Sequence, residues 1–359
     1  MSNNVPIRAG LIGCGHWAQS SWMPYIGSHP DAEITALCDV DLGRARQLSD
    51  EFFGDVPEDS RPRLYDDYNK MIADGSLDMV IAGTLAGARP PMTIAALEAG
   101  IPVLAAKPMA PNLADAEAML EAAEKSNTLL MVGYNYRFRD DSRVVHKFIN
   151  DGGIGKPLFA RAWAHSPGIP SYAPHYKRSV SGGGALASTG VHPLDLAVWF
   201  LGCPKLVSVD GISSAHFDQY DSLPEDLEHI RGECDIDLLV SGFARFEDGT
   251  TLATESVWMS ASSGTGVEVW GTKGRASLVP LELHSWEAGA FVDKTEEVAP
   301  GLAASFKDTK VRMEREVHHF VDCVLGRCKP LVTAAEMWTD QAIMDALYTG
   351  GRSFDANGG

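Results

Sequence analysis

Basic charge is scarce in this 359-residue chain, where 30 Lys and Arg stand against 48 Asp and Glu for a formal net charge of −18. The acids are spread along the sequence rather than gathered in a tail. They favour solubility and repel polyanions, so neither nucleic acid nor an anionic membrane surface is an expected partner. No apolar run approaches the roughly 20 residues that cross a bilayer, and residues 1–12 lack the basic-then-apolar layout of a secretory signal. A cytoplasmic location is the expectation. Cysteine is also sparse, at Cys14, Cys38, Cys203, Cys234, Cys323 and Cys328, with no C-x-x-C pair and no zinc-ribbon spacing. Ordinary thiols in a reducing compartment are expected. There is no internal repeat and no low-complexity tract.

The chain does have the composition of a globular protein, 45% hydrophobic and 22% charged, and a length that suggests at least two domains. Apolar runs at residues 7–12, 33–40, 77–82, 101–106 and 129–133 alternate with helical patterns at 42–52, 90–99 and from the N-cap Asn112 to about 125. Strands alternating with helices predict a parallel, doubly wound sheet, with a first domain over residues 1–133. Residues 134–359 read differently. A helix at 142–150 and a strand at 158–165 precede a loop at 167–184 dense in Pro, Ser, Gly, Tyr and His, a length that usually signals function. Strand pairs follow, 238–246 with 250–258 through Asp248-Gly249, and 266–270 with 276–279. Helices at 193–201, 310–325 and 334–348 complete an α+β domain with an open, mainly antiparallel mixed sheet.

Gly13-Cys14-Gly15-His16-Trp17-Ala18 fits G-x-G-x-x-G/A at the turn from the first strand into the first helix. Glycine at 13 permits the turn, Gly15 admits a pyrophosphate to the backbone, and Ala18 lets helix pack on strand. The second strand ends at Asp39, an acid placed to bond ribose hydroxyls and repel a 2′-phosphate, so NAD is expected over NADP. Arg44 and Arg46 follow in the next helix, where they could moderate that preference.

Taken together, several blocks resemble the Gfo/Idh/MocA oxidoreductases, named for glucose–fructose oxidoreductase and inositol dehydrogenase. They are GCGHWA at 13–18, CDVD at 38–41, AKP at 106–108, GYNYRF at 133–138, GGGALASTGVHPLD at 182–195 and WGTKGR at 270–275. The resemblance implies a Rossmann domain joined to a substrate and oligomerisation domain, sugars or cyclitols as substrates, and homodimers or homotetramers formed through the second sheet. It also suggests a cis peptide at Lys107–Pro108. Three positions depart from the family pattern. Its Glu-Lys-Pro is Ala106-Lys107-Pro108 here, an aspartate is replaced by Ser188, and a Thr-Pro-Asn loop followed by His becomes Thr84-Leu85-Ala86-Gly87-Ala88-Arg89.

Hydride transfer at a carbinol carbon needs a group to take or return the hydroxyl proton and a cation or donor to steady the oxygen. His192 is the expected general base and Lys107 the electrostatic group, with the roles exchangeable. Expected cofactor contacts are Gly13, Cys14, Gly15, His16, Trp17, Ala18, Asp39, Thr84 and Lys107. Substrate contacts are sought among Asn135, Arg137, Tyr172, His175, Tyr176, Ser188, His192 and Asp195, although Arg137 fits a structural ion pair equally and Asp195 helix support. No metal is expected, because His165, His175, His192 and Asp195 match no zinc signature. Three functions fit: a dehydrogenase or ketoreductase on a sugar, sugar derivative or cyclitol; a non-catalytic NAD-binding sensor or scaffold; and a lyase or hydrolase using NAD transiently.

Overall fold

Strands buried on both faces need helices above and below them, and the N-terminal strands are of this kind. The computed structural model describes residues 6–169, 176–215, 232–302 and 309–354, with Gln219 and Glu228. Strands β1 (Ile7–Ile12), β2 (Ala32–Cys38), β3 (Arg63–Tyr65), β4 (Met79–Ala82), β5 (Val103–Ala105) and β6 (Leu130–Val132) form one sheet in the order β3-β2-β1-β4-β5-β6. Every pairing in it is parallel. The order reverses at β1, which is the topological switch point where open α/β sheets hold ligands beyond their carboxyl ends. All residues of β4, β5 and β6 are buried, as their unbroken apolar sequence requires.

The second sheet has nine strands. They are β7 (Pro157–His165), β8 (Leu206–Ser214), β9 (Leu239–Phe246), β10 (Thr251–Val257), β11 (Gly264–Gly271), β12 (Gly274–Ser277), β13 (Glu282–Glu287), β14 (Ala290–Asp293) and β15 (Arg352–Ser353). Their order is β14-β13-β12-β11-β7-β10-β9-β8-β15. Only β7 and β10 pair in parallel among the described residues, so the sheet is mixed and mainly antiparallel. Burial alternates along β10 and β9, with Leu252, Thr254, Ser256, Val240 and Ala244 on the inner face. The helix Val191–Phe200 packs on the sheet through β7 and β11 and is buried at every residue.

Two compact units result, and they do not follow chain order. The first holds residues 1–110, 114–135 and 308–334, and the second 111–113, 136–307 and 335–359. The expected break at 133/134 assigned the helix Thr309–Val324 to the second domain, whereas this helix packs on Met23–Ile26 of the first unit. Met313, Val317, Phe320 and Val321, on one face of it, are buried there. Among the described residues no helix is long and apolar enough to cross a membrane.

Candidate active site and dinucleotide cradle

The turn after β1 is built by two glycines with different reasons. Gly13 has φ +96°, and a Cβ there would sit 3.0 Å from the backbone of Gly83 and Thr84, so both conformation and space require glycine. Gly15 is extended, and among the described residues nothing beyond its chain neighbours lies within 4 Å of where its Cβ would be. No internal contact calls for glycine at 15, and the open side leaves room for a ligand to reach the backbone. Asp39, at the end of β2, is buried and its carboxylate is oriented by two backbone amides. Oδ2 accepts from Cys14 N–H at 2.8 Å and Oδ1 from Asp41 N–H at 3.0 Å. Each oxygen keeps acceptor capacity for a further donor. Cys14, Gly15, His16, Gln19, Arg44, Gln47, Leu48 and Glu51 line a cavity of about 220 Å³ beside this turn. Ala18 is buried and Trp17 exposed. An open glycine beside an oriented carboxylate fits the diphosphate and ribose of a dinucleotide.

Past β5 the chain reaches Ala106-Lys107-Pro108, with the Lys107–Pro108 peptide cis. Lys107 is partly buried. Burial, then the neighbouring Arg89 cation, brings its ammonium down to about 8. Arg89 is one residue that reading the sequence missed. Its side chain is buried, and its guanidinium donates to the carbonyls of Thr84, Pro108 and Met109, tying the loop after β4 to the turn after β5. Burial lowers this guanidinium too, to about 9. The altered loop at 84–89 was the available signal. Thr84 contributes its carbonyl to Arg89 and its hydroxyl to Met92 Sδ at 3.4 Å. Asn135 is buried at the end of this unit's strands.

In the second unit His192 lies near the start of Val191–Phe200, directly after a π-helical turn, Leu186–Gly190. Such turns are rare and concentrate at functional sites. The His192 ring is buried and stacks on Tyr136, with centroids 4.3 Å apart and planes 11° from parallel. The Arg139 guanidinium lies 5.3 Å from the Tyr136 centroid and is itself fixed by Asp141. Ser188 is partly buried, its amide bonded to the Gly184 carbonyl at 2.9 Å. The glycine-rich segment is anchored by Asp237, whose carboxylate accepts from Gly184 N–H at 2.5 Å and Leu186 N–H at 2.9 Å. The partly buried Tyr348 accepts through its hydroxyl from Ala187 N–H at 3.1 Å.

Two expected substrate contacts take structural positions instead. Arg137 and Asp195 are wholly buried, with Arg137 Nε 2.9 and 3.0 Å from the two Asp195 oxygens and Nη1 2.9 Å from Glu336. The carboxylates raise the guanidinium's pKa above its ordinary value, and burial raises that of Asp340 beside Asp195. No surface remains on either residue to meet a substrate. Tyr176 is also more enclosed than a loop position suggests, since it packs on the cluster Ala185, Ile236, Leu238 and Trp258. Tyr172 and His175 lie outside the described residues.

A model for an oxidoreductase family with an NAD-binding Rossmann fold matches residues 7–134, and the GFO/IDH/MocA C-terminal domain matches 142–277. This chain belongs to the Gfo/Idh/MocA family. It is an NAD(P)-dependent oxidoreductase. Relatives include D-glucoside 3-dehydrogenase of Escherichia coli K12, 25% identical over 96% of this chain and 95% of that protein. D-apiose dehydrogenase of Paraburkholderia graminis is 27% identical over 96% and 88%. Among solved structures, the aldose-aldose oxidoreductase of Caulobacter crescentus shares the fold with a TM-score of 0.76 at 20% identity, covering 97% of this chain and 99% of that one.

Proposed function

We propose that this chain is an NAD(H)-dependent dehydrogenase or ketoreductase acting on a hydroxyl or keto carbon of a sugar, sugar derivative or cyclitol. The observation that carries the reading is Lys107. It leaves the carboxyl end of β5 in the same unit as the dinucleotide cradle, and its ammonium titrates near 8, within reach of physiological proton exchange. Bound NAD supplies the hydride acceptor and NADH the donor. Gly13, Gly15 and Asp39 hold the dinucleotide, with the Asp39 carboxylate favouring an unphosphorylated ribose. Arg44, which lines the cavity beside the turn, has its Nε 3.6 Å from the Asp41 carboxylate. His192 takes the hydroxyl proton, with its ring plane set by Tyr136, and Lys107 as a cation steadies the developing charge on oxygen.

The exposed apolar residues of the second sheet support assembly of the chain as a homodimer or homotetramer, since Ile212, Phe243, Trp286 and Phe291 are each more than half exposed. A cytoplasmic location accords with six free thiols. Titration of NADH into cofactor-stripped protein, followed by a panel of polyols and keto-sugars, tests the whole reading. Tight NADH binding with turnover of a panel member is expected, and failure to bind NADH would end it. Ala106 and Ser188, where the family pattern has acids, favour a second reading as a dinucleotide sensor. Binding without turnover across the panel would select that one.

A further inference from the structure

The helix Thr309–Val324 carries a group of residues that the oxidoreductase chemistry does not use. His319 and Cys323 are four residues apart and so share a helical face. The helix then stops at Gly326, with φ +69° and its amide bonded to the Cys323 carbonyl at 3.0 Å. A left-handed glycine just past a helix end turns the chain back over the last turn. Arg327 pins that turn, with salt bridges to Asp31 at 2.7 Å and Asp322 at 3.2 Å. Cys328 is thereby returned to the face of Cys323, and the two sulfurs lie 3.4 Å apart as free thiols. Cys328 is exposed and Cys323 half-buried.

His319 lies against both. Its Nε2 accepts from Leu331 N–H at 2.9 Å, which places the ring proton on Nδ1. Nδ1 is 3.6 Å from Cys328 Sγ, and Nε2 is 3.4 Å from Cys323 Sγ. The three side chains could also surround a thiophilic cation. Ligation through Nε2 would displace the Leu331 amide, and ligation through Nδ1 would put a proton on Nε2 facing that same amide. The hydrogen-bond pattern therefore favours a dithiol over a metal centre.

We propose that Cys323 and Cys328 form a thiol–disulfide exchange site, with Cys328 attacking a low-molecular-weight disulfide and Cys323 resolving the product. Cys328 gives its proton to solvent, and its sulfur bonds one sulfur of the small disulfide, expelling the other as a thiolate that takes up a proton. Cys323 then loses its proton and attacks Cys328 Sγ, releasing the second small thiol. Two S–H bonds and one S–S bond become one S–S and two S–H, and two electrons pass to the small disulfide. Burial and the adjacent Cys328 push the Cys323 thiol up to about 12, in keeping with a group that acts second. Closure requires the sulfurs to move together from 3.4 Å to about 2.05 Å.

The test exposes the full-length protein to oxidised glutathione, quenches with an alkylating reagent and reads intact and peptide masses. The wild-type chain should lose two hydrogens and yield a linked peptide pair spanning 323 and 328. Cys323→Ser should stop with one glutathionyl group on Cys328, and Cys328→Ser should leave Cys323 to be alkylated. Full alkylation of both cysteines in the treated wild type would overturn the proposal. So would protection of both thiols by added zinc that a chelator reverses without any disulfide, since that result assigns the cluster to a metal.

Discussion

The two units treat a buried cation in opposite ways. In the second, Arg137 is enclosed by Asp195 and Glu336, and its charge is reinforced. In the first, Lys107 and Arg89 lie beside each other, and burial moves both toward their neutral forms, to about 8 and about 9. A cation surrounded by carboxylates fixes structure and has no proton to exchange near neutrality. A cation kept beside another cation, with burial acting on both, is moved toward a change of protonation state. The contrast sets a residue held by ion pairs against the one proposed to take part in the chemistry.

Removing each cation should break different properties. Lys107→Met should reduce turnover about 10³-fold while NADH affinity, read by fluorescence titration, stays within a few-fold. Turnover near the wild-type level would remove Lys107 from the chemistry. The same change should also flatten the stability profile at alkaline pH. Between about 8 and 10.5 the unfolded lysine keeps a proton that the native one has lost, so stability rises with pH through that window in the wild type only.

Arg137→Met should act on folding. It leaves Asp195 and Glu336 buried without their counter-charge and should lower unfolding free energy by about 3–5 kcal/mol in urea titrations. A loss under 1 kcal/mol, on the order of an exposed ion pair, would show that the arginine is not the keystone described.

A carboxyl in the first unit sharpens the comparison. Glu316 is buried beside Trp22 and Gly133, and burial raises it to about 8. The native state then holds a proton that the unfolded chain has released, so this group's contribution is complete below about 4.5 and is lost as pH rises through 8. Glu316→Gln should gain about 4 kcal/mol at pH 8 and nothing at pH 4, read from urea midpoints at the two values. Equal stabilities at both would contradict the shift. The smallest effect is expected of Ala106→Glu, which restores a carboxylate before the lysine. The alkaline fall in kcat/KM, expected near pH 8 because Lys107 acts as a cation, should move up by about one unit. An unmoved profile would uncouple that fall from Lys107.

Much of the architecture was legible from periodicity. β1, β4, β5 and β6 were anticipated within two residues or so, as was the hairpin of β9 and β10 through Asp248-Gly249. β3 and β8 were passed over, the first because three residues cannot display a period and the second because its burial alternates only loosely. Glycine at 13 was legible because the turn's sterics and its φ of +96° restrict which residue can stand there. Arg89, Tyr136 and Asp237 were not, since their roles arise from contacts 19 to 53 residues away in sequence or from ring stacking that no spacing encodes. The pairing of Cys323 with Cys328 was missed for a similar reason, because it depends on how a glycine ends a helix.

The protonation of Lys107 can be followed without knowing the substrate. Reductive methylation with ¹³C-formaldehyde, with Lys107→Met used to assign the signal, gives its titration midpoint directly by NMR. A midpoint near 8 is predicted for the folded protein. A midpoint near the ordinary lysine value of 10.5 would contradict the account.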